Sequence, residues 1–242
     1  MFSNFLARLG VGATQIDTQL NKNSFYPGEM AEGQVVVKGG STAQEIEYLK
    51  LQVCSQYKSD DSTVVTVLGE TVVSQRFTVQ PGQTLTFPVQ VQIPYHTPLS
   101  YYNTPVWLYT AAAISAAVDP KDNDRLNIAP NPLQAAVLEA LTQLGFHLRA
   151  SQYEYEGHKY HRAIQELEFS PGPEFRGRIS ELEVVFMPAA EHLDVIIEVD
   201  RKAKGFASMF VSEFETKGSW RVTPNMQRNL AEQLRQKIQS MI

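Results

Sequence analysis

Five residues of the chain have side chains suited to metal chemistry: His147, Glu154, Glu156, His158 and His161. Imidazole and carboxylate groups are ordinary zinc ligands, and two histidines three apart on a helix could share an ion. Here His158 and His161 flank a Glu156-Gly157-His158 turn between strands, so an exposed polar turn is the simpler reading. Asp119, Asp122 and Asp124 offer oxygen ligands for a hard cation. Measured against a calcium loop, they lack the central glycine, and the twelfth position counted from Asp122 is Leu133 rather than glutamate. A solvated linker fits them better. No G-x-S-x-G elbow is present, and Cys54 falls inside an alternating strand, where it reads as a small core thiol. Gly10-Val11-Gly12 begins like a dinucleotide fingerprint, but Gln15 stands where the third glycine belongs and no strand precedes it. The residues therefore assign no catalytic side chain, no cofactor and no metal.

The elements that would position any site are strands. From Thr14 to Val118 the hydrophobic pattern has period two, which sends alternate side chains to opposite faces of a pleated strand. Leu85, Phe87, Val89, Val91 and Ile93 share one face of the clearest case, with Thr and Gln on the other. Pro88 lies on its polar phase and cannot donate to a ladder, which predicts an edge strand or a bulge. Further strands are predicted at Ile16–Leu20, Glu32–Val37, Glu47–Tyr57, Thr63–Val67, Thr71–Val79 and Val106–Val118. Turns rich in Gly, Pro, Asp and Ser separate them. Seven or so such strands describe a β-sandwich lobe.

Residues 119–131 break that pattern with polarity and proline, and read as an acidic interlobe linker. Asn131-Pro132 then opens a helix in which Leu133, Val137, Leu138, Leu141 and Leu144 recur, with Gly145 as its stop. Strands resume at Phe146–Glu156, Tyr160–Phe169, Ile179–Met187, Leu193–Asp200 and Glu213–Val222. The predicted fold class is all-β: an N-terminal lobe over 1–118 and a second β-sandwich lobe over 132–223, with short helices. Thr223-Pro224 starts the last element, a C-terminal amphipathic helix over 224–242, with Thr223 as its expected N-cap. Its stripe of Met226, Leu230, Leu234 and Ile238 needs a surface to dock on, because an isolated helix of this length is marginal in water.

Charge and size narrow the function classes. The 242 residues are 43% hydrophobic and 19% charged, with 21 Lys+Arg against 26 Asp+Glu, a net charge of -5. Such a chain folds, and it has no general field with which to condense on nucleic acid. Its single cysteine excludes an internal disulfide and fits a reducing compartment, so a cytoplasmic location is expected. The longest apolar stretch, Leu108 to Val118, is about half of the ~20 residues a membrane span requires. Phe2, Phe5, Leu6 and Leu9 match one helical face at the N-terminus.

Taken in order, several motifs are recognisable. Phe25-Tyr26-Pro27-Gly28-Glu29 is followed by Gly33 and by Val35-Val36-Val37-Lys38-Gly39-Gly40, and then by Gln44-Glu45-Ile46. This succession resembles the first strands of arrestin-like proteins, and more specifically the bacterial sporulation-control family written SpoOM. Later pieces agree: Asp119-Pro120 with Asp122 and Asp124, Gln143-Leu144-Gly145-Phe146, Gln165 to Pro171, Phe175-Arg176-Gly177, Leu182 to Phe186, and Glu198-Val199-Asp200-Arg201 before Gly205. The resemblance runs to about residue 205. It implies two consecutive arrestin-like, immunoglobulin-like lobes and a non-enzymatic regulatory or adaptor protein that acts by binding protein partners. By analogy with the interlobe polar contacts of arrestins, it also implies that Asp119, Asp122 and Asp124 set lobe orientation through a partner such as Arg201 or Lys202. The terminal helix, through Met226, Leu230, Leu234 and Ile238, is the expected docking element for a partner or for a second copy. The alternative is a peripheral membrane scaffold that uses the two terminal amphipathic segments.

Overall fold

The alternation read from the sequence becomes strand after strand, and the inward phase of each supplies a core. The computed structural model describes residues 13–59, 62–102, 104–114, 119–156, 162–202 and 213–242. The described residues fall into two units. The first draws on Met1–Gln56, Val64–Thr97 and Pro105–Ile128, and the second on Tyr57–Thr63, Pro98–Thr104 and Ala129–Ile242.

In the first unit, β1 (Gln15–Leu20), β3 (Met30–Lys38) and β7 (Thr84–Gln92) form a three-stranded antiparallel sheet in the order β1-β3-β7. β7 is the edge strand that Pro88 predicts, with Pro88 opposite Gln34. A second sheet is built on β4 (Gln44–Ser59), which pairs with β5 (Ser62–Ser74), β6 (Phe77–Val79) and β8 (Val106–Ile114). β8 continues to β9 (Lys121–Ile128), and β9 to the short β2 (Ser24–Phe25). Ile16, Val35, Val37, Leu49, Leu51, Val53, Val91 and Leu108 are buried in this unit. Cys54 is buried with them, and burial raises its thiol pKa, as befits a core residue.

β9 corrects the expectation of a linker over 119–131. Asp122, Asp124, Leu126 and Ile128 occupy its inward phase, while Lys121, Asn123, Arg125 and Asn127 are exposed. Two acidic residues at core-facing positions hide the alternation that Leu126 and Ile128 complete.

In the second unit, β10 (His147–Glu156), β11 (Arg162–Ser170), β12 (Ile179–Pro188), β13 (Leu193–Lys202) and β14 (Glu213–Val222) pair antiparallel in sequence order. Helix α1 (Pro132–Gln143) starts with a capping box. The Gln134 amide N–H donates to Asn131 Oδ1 at 2.9 Å, and the Asn131 N–H donates to Gln134 Oε1 at 2.9 Å. It ends in a Schellman turn, with Phe146 N–H on Leu141 O and Gly145 N–H on Thr142 O, both at 2.9 Å. Gly145 takes φ +80 in that turn, and a Cβ added at Gly172 would stand 2.4 Å from the Gly145 carbonyl oxygen. Only glycine allows that approach. The rings of Phe146 and Phe175, 5.0 Å apart and both buried, fill the space beside it.

The expected terminal helix begins as a 3-10 turn over Pro224–Asn229 and becomes α2 (Leu230–Gln239). Thr223 occupies the predicted N-cap position in extended conformation with Pro224 next to it, but its side chain makes no capping hydrogen bond. α2 packs on α1, and Lys237 and Met241 approach β14 at Gly218, where a side chain would meet them at 3.2 to 3.3 Å. The all-β class with two consecutive lobes and a terminal helix, expected from the sequence, is the observed one.

Candidate functional site

The second unit concentrates like charge on one face of its sheet. Register sets Glu168 opposite Glu183, Glu183 opposite Glu198, and Glu198 opposite Lys217, a row crossing β11 to β14. Period two adds Glu166 from β11 and, as a second facing pair, Glu181 and Asp200 from β12 and β13. Carboxylates placed directly across a ladder repel each other. The opposite face carries Leu167, Phe169, Leu182, Val184, Val195 and Ile197, all buried, so the apolar phase of these strands fixes the acidic phase on the other face, where Glu168 and Glu198 are themselves buried and Glu166, Glu181, Glu183 and Asp200 half-buried.

Cations meet part of this charge. Arg149 bonds Glu168 at 3.1 Å and also reaches Glu181, while Lys217 pairs with Glu198 at 2.5 Å. Gln152 donates a further hydrogen bond to Glu168. Burial raises the pKa of Glu168, but the bonds from Gln152 and Arg149 outweigh it, so the carboxyl sits below the usual range. Glu181 ends above its usual range, through burial and the neighbouring Glu168 and despite Arg149. Glu183 is pushed up to about 7, first by burial and then by Glu166, Glu198, Asp200 and Glu181. The neighbouring charges that raise it are all carboxylates. At Glu183 the ionised form is opposed by burial and by the neighbouring carboxylates, and a cation placed beside it would relieve the second of these.

The acidic residues singled out in the sequence divide differently. Asp122 and Asp124 come together in the first unit, with Asp17 near enough to act on Asp124. The Thr18 N–H donates to Asp122 Oδ2 at 2.7 Å, and Asp122 Oδ1 accepts from the Asn123 N–H at 2.9 Å. Asp122 therefore closes a backbone donor on the edge strand β1. Beside it the hydroxyls of Thr18 and Thr110 share a hydrogen bond of 2.6 Å. Burial, then Asp122 and Asp17, push Asp124 up to about 6, and its Oδ2 is buried with no hydrogen-bond partner. Asp119 stands apart, accepting from the Ile114 N–H at 2.9 Å. Arg201 lies on β13, opposite Ile179 and Phe214, and its side chain is outside the described residues.

The helical stripe is used by the chain itself. Leu230, Leu234 and Ile238 are buried, as is Met241, whereas Met226 in the 3-10 turn is half-buried. The docking surface that these residues require is supplied within the second unit, where α2 packs on α1 and Met241 lies against β14 at Gly218. A role as a free docking helix is corrected accordingly. His147 and Glu154 lie on one strand seven residues apart, and His158 and His161 are outside the described residues. Among the described residues no group of His, Cys, Asp and Glu has metal-binding geometry. Phe2, Phe5, Leu6 and Leu9 are also outside the described residues. Within the described residues, no helix is long and apolar enough to cross a membrane.

The acidic row was visible in the sequence only in fragments. Each of three strands carries an i, i+2 acidic pair in its polar phase: Glu166 and Glu168, Glu181 and Glu183, Glu198 and Asp200. Their alignment depends on register, which one strand alone does not encode.

Comparison with known proteins supplies a family. The SpoOM protein family matches residues 2–203. Sporulation-control protein spo0M of Bacillus subtilis (strain 168) is 35% identical over 211 residues, covering 84% of this chain and 82% of the relative. The crystal structure of Spo0M, a sporulation control protein from Bacillus subtilis, matches with a TM-score of 0.84 at 30% identity, covering 96% of this chain and 100% of that one.

Proposed function

The chain belongs to the SpoOM family, whose Bacillus subtilis member is a sporulation-control protein, and from that regulatory premise we propose that it acts by binding other proteins rather than by catalysis. The observation that carries this is the acidic face of the second unit, where Glu183 sits among Glu166, Glu181, Glu198 and Asp200. A sheet face built at the expense of mutual repulsion favours a basic, lysine- and arginine-rich protein segment, whose charge complements it and whose approach it steers. Asp122 has a different role, because its carboxylate already serves the chain's own backbone. A cytoplasmic location goes with this function, since a lone buried thiol such as Cys54 persists unpaired in a reducing compartment. The membrane alternative is weakened on one side: the stripe it would use, Leu230, Leu234 and Ile238, is already buried.

Calorimetric titration of the full chain with a lysine- and arginine-rich peptide, and with a neutral peptide of equal length, tests the proposal. The basic peptide should bind at low salt, and about tenfold or more weakly to the triple variant E166Q/E183Q/E198Q. Equal affinity for the two peptides, or a triple variant that binds as well as the parent chain, would overturn it.

A further inference from the structure

The second unit carries a cation on its acidic face that strand alternation alone would not put there. On β10 the ladder pairs Leu148 with Phe169 and then Ala150 with Glu168, so Arg149 between them is one residue too many. An extra residue of this kind is a β-bulge, and a bulge re-aims the side chain it inserts. Without it, period two would place Arg149 with Ser151 and Tyr153, on the side of Leu167 rather than of Glu168. With it, the guanidinium reaches both Glu168 and Glu181. The Tyr102 hydroxyl donates to the Leu148 carbonyl at 3.2 Å and holds the backbone just before the insertion. Lys217, the other cation on the row, needs no such device, because register already sets it opposite Glu198.

The bulge fixes where the Arg149 side chain starts, yet its grip is loose. Both contacts run through one nitrogen, Nη2, instead of the two-nitrogen fork that makes arginine–carboxylate pairs strong. The side chain is 59% exposed, and an ion pair so open to water contributes little. One guanidinium also fails to satisfy the pair of carboxyls, since burial and the neighbouring Glu168 keep Glu181 above its usual range despite it. A cation arriving from outside finds an occupant that it can displace into solvent.

We infer that Arg149 is a built-in competitor for the acidic face: in the free chain it takes the place between Glu168 and Glu181 that a cationic side chain of a basic partner segment occupies on binding. This rests on the acidic face being the binding surface, and adds how that surface is regulated. A site blocked by its own side chain for about nine-tenths of the time binds about tenfold more weakly than the same site left open. Weakly basic segments are thereby refused. A segment with enough cations to engage Glu183 and its neighbours as well overcomes the block.

Calorimetric titration of the full chain with the lysine- and arginine-rich peptide compares the parent with R149Q and R149M. Both neutral variants should bind about tenfold more tightly. R149M keeps an apolar stem, so that lost packing is separated from lost charge. R149K returns a cation to the bulge and should bring the affinity back toward that of the parent. R125Q removes one positive charge from the exposed phase of β9 in the first unit and should leave binding as it was. The Arg149 side chain is largely exposed, so circular dichroism should show each variant folded. Saturating peptide should raise the melting temperature of R149Q more than that of the parent. If the parent prefers the basic peptide to a neutral one while R149Q and R149M bind no more tightly than it does, the competitor is overturned and the acidic face remains the binding surface. Tightening by R125Q equal to that by R149Q would also overturn it, by assigning the gain to overall charge. Failure of parent and variants alike to bind the basic peptide removes both readings together.

Discussion

Replacing Glu183 with glutamine should stabilise the protein at alkaline pH and leave it unchanged at acidic pH. The folded-state pKa is about 7 against an ordinary value of 4.5. Between those values the folded chain holds a proton that the unfolded chain has released, so stability falls as pH rises through the window. Above pH 7 the penalty is complete, and below 4.5 it vanishes. A displacement of that size corresponds to at most about 3 kcal/mol. Glu183 is only partly buried, and solvent screening of such a group reduces the effect to about 1 kcal/mol. Glutamine keeps the shape and cannot ionise, so E183Q should raise the melting temperature by about 2–4 °C at pH 8 and by nothing measurable at pH 4. High salt at pH 8 should narrow the gap, because the repelling carboxylates are near the surface and the screening length shrinks to ~3 Å at 1 M. Thermal melts of both proteins at the two pH values, with and without salt, make the measurement. An equal gain at pH 4 and pH 8 would show that the substitution acts through packing, and a loss at pH 8 would refute the account of mutual repulsion.

Other consequences follow from the same structure. D122A leaves the Thr18 N–H without its carboxylate and should cost about 1–3 kcal/mol in urea unfolding at neutral pH. D124N should stabilise the chain above pH 6 and have no effect below pH 3.8, because the pKa of Asp124 is raised from 3.8 to about 6 and the penalty accumulates across that window. L234A removes a buried side chain between α2 and its surroundings and should cost about 2–5 kcal/mol in the same assay. G172A drives a Cβ against the Gly145 carbonyl oxygen and should destabilise by about 1–3 kcal/mol, read as a fall in melting temperature.

Most of the fold was legible because period-two patterning is a local signal. The strand from Leu85 to Ile93 announces its buried face and, through Pro88, its place at an edge. What local patterning missed was polar residues in inward positions. Asp122 and Asp124 masked β9, because burying a carboxyl is unfavourable until it is known that the Thr18 N–H awaits one of them. The partner of the terminal helix was equally invisible: a stripe of Leu230, Leu234 and Ile238 demands an apolar surface without saying whose. The acidic row was hidden for a third reason. Glu168, Glu183 and Glu198 lie about fifteen residues apart in sequence, and only the strand pairings put them side by side.

The two acidic groups differ in a way that separates architecture from recognition. Asp122 accepts from two backbone N–H groups, so its charge is used in closing a sandwich edge, and the raised Asp124 beside it is a by-product of that closure. In the second unit Arg149 and Lys217 hold Glu168, Glu181 and Glu198, but the Glu183 pKa is raised first by burial and then by further carboxylates. A fold under no other constraint would replace Glu183 with threonine or glutamine, which suit an outward strand position without repulsion. Keeping a carboxyl there opposes stability at neutral pH and gains only when a cation arrives. The binding partner should therefore raise the melting temperature of the parent chain more than that of E183Q at pH 8, since only the parent has repulsion to relieve. An equal rise in both would assign the binding energy to other contacts and leave Glu183 without a part in recognition.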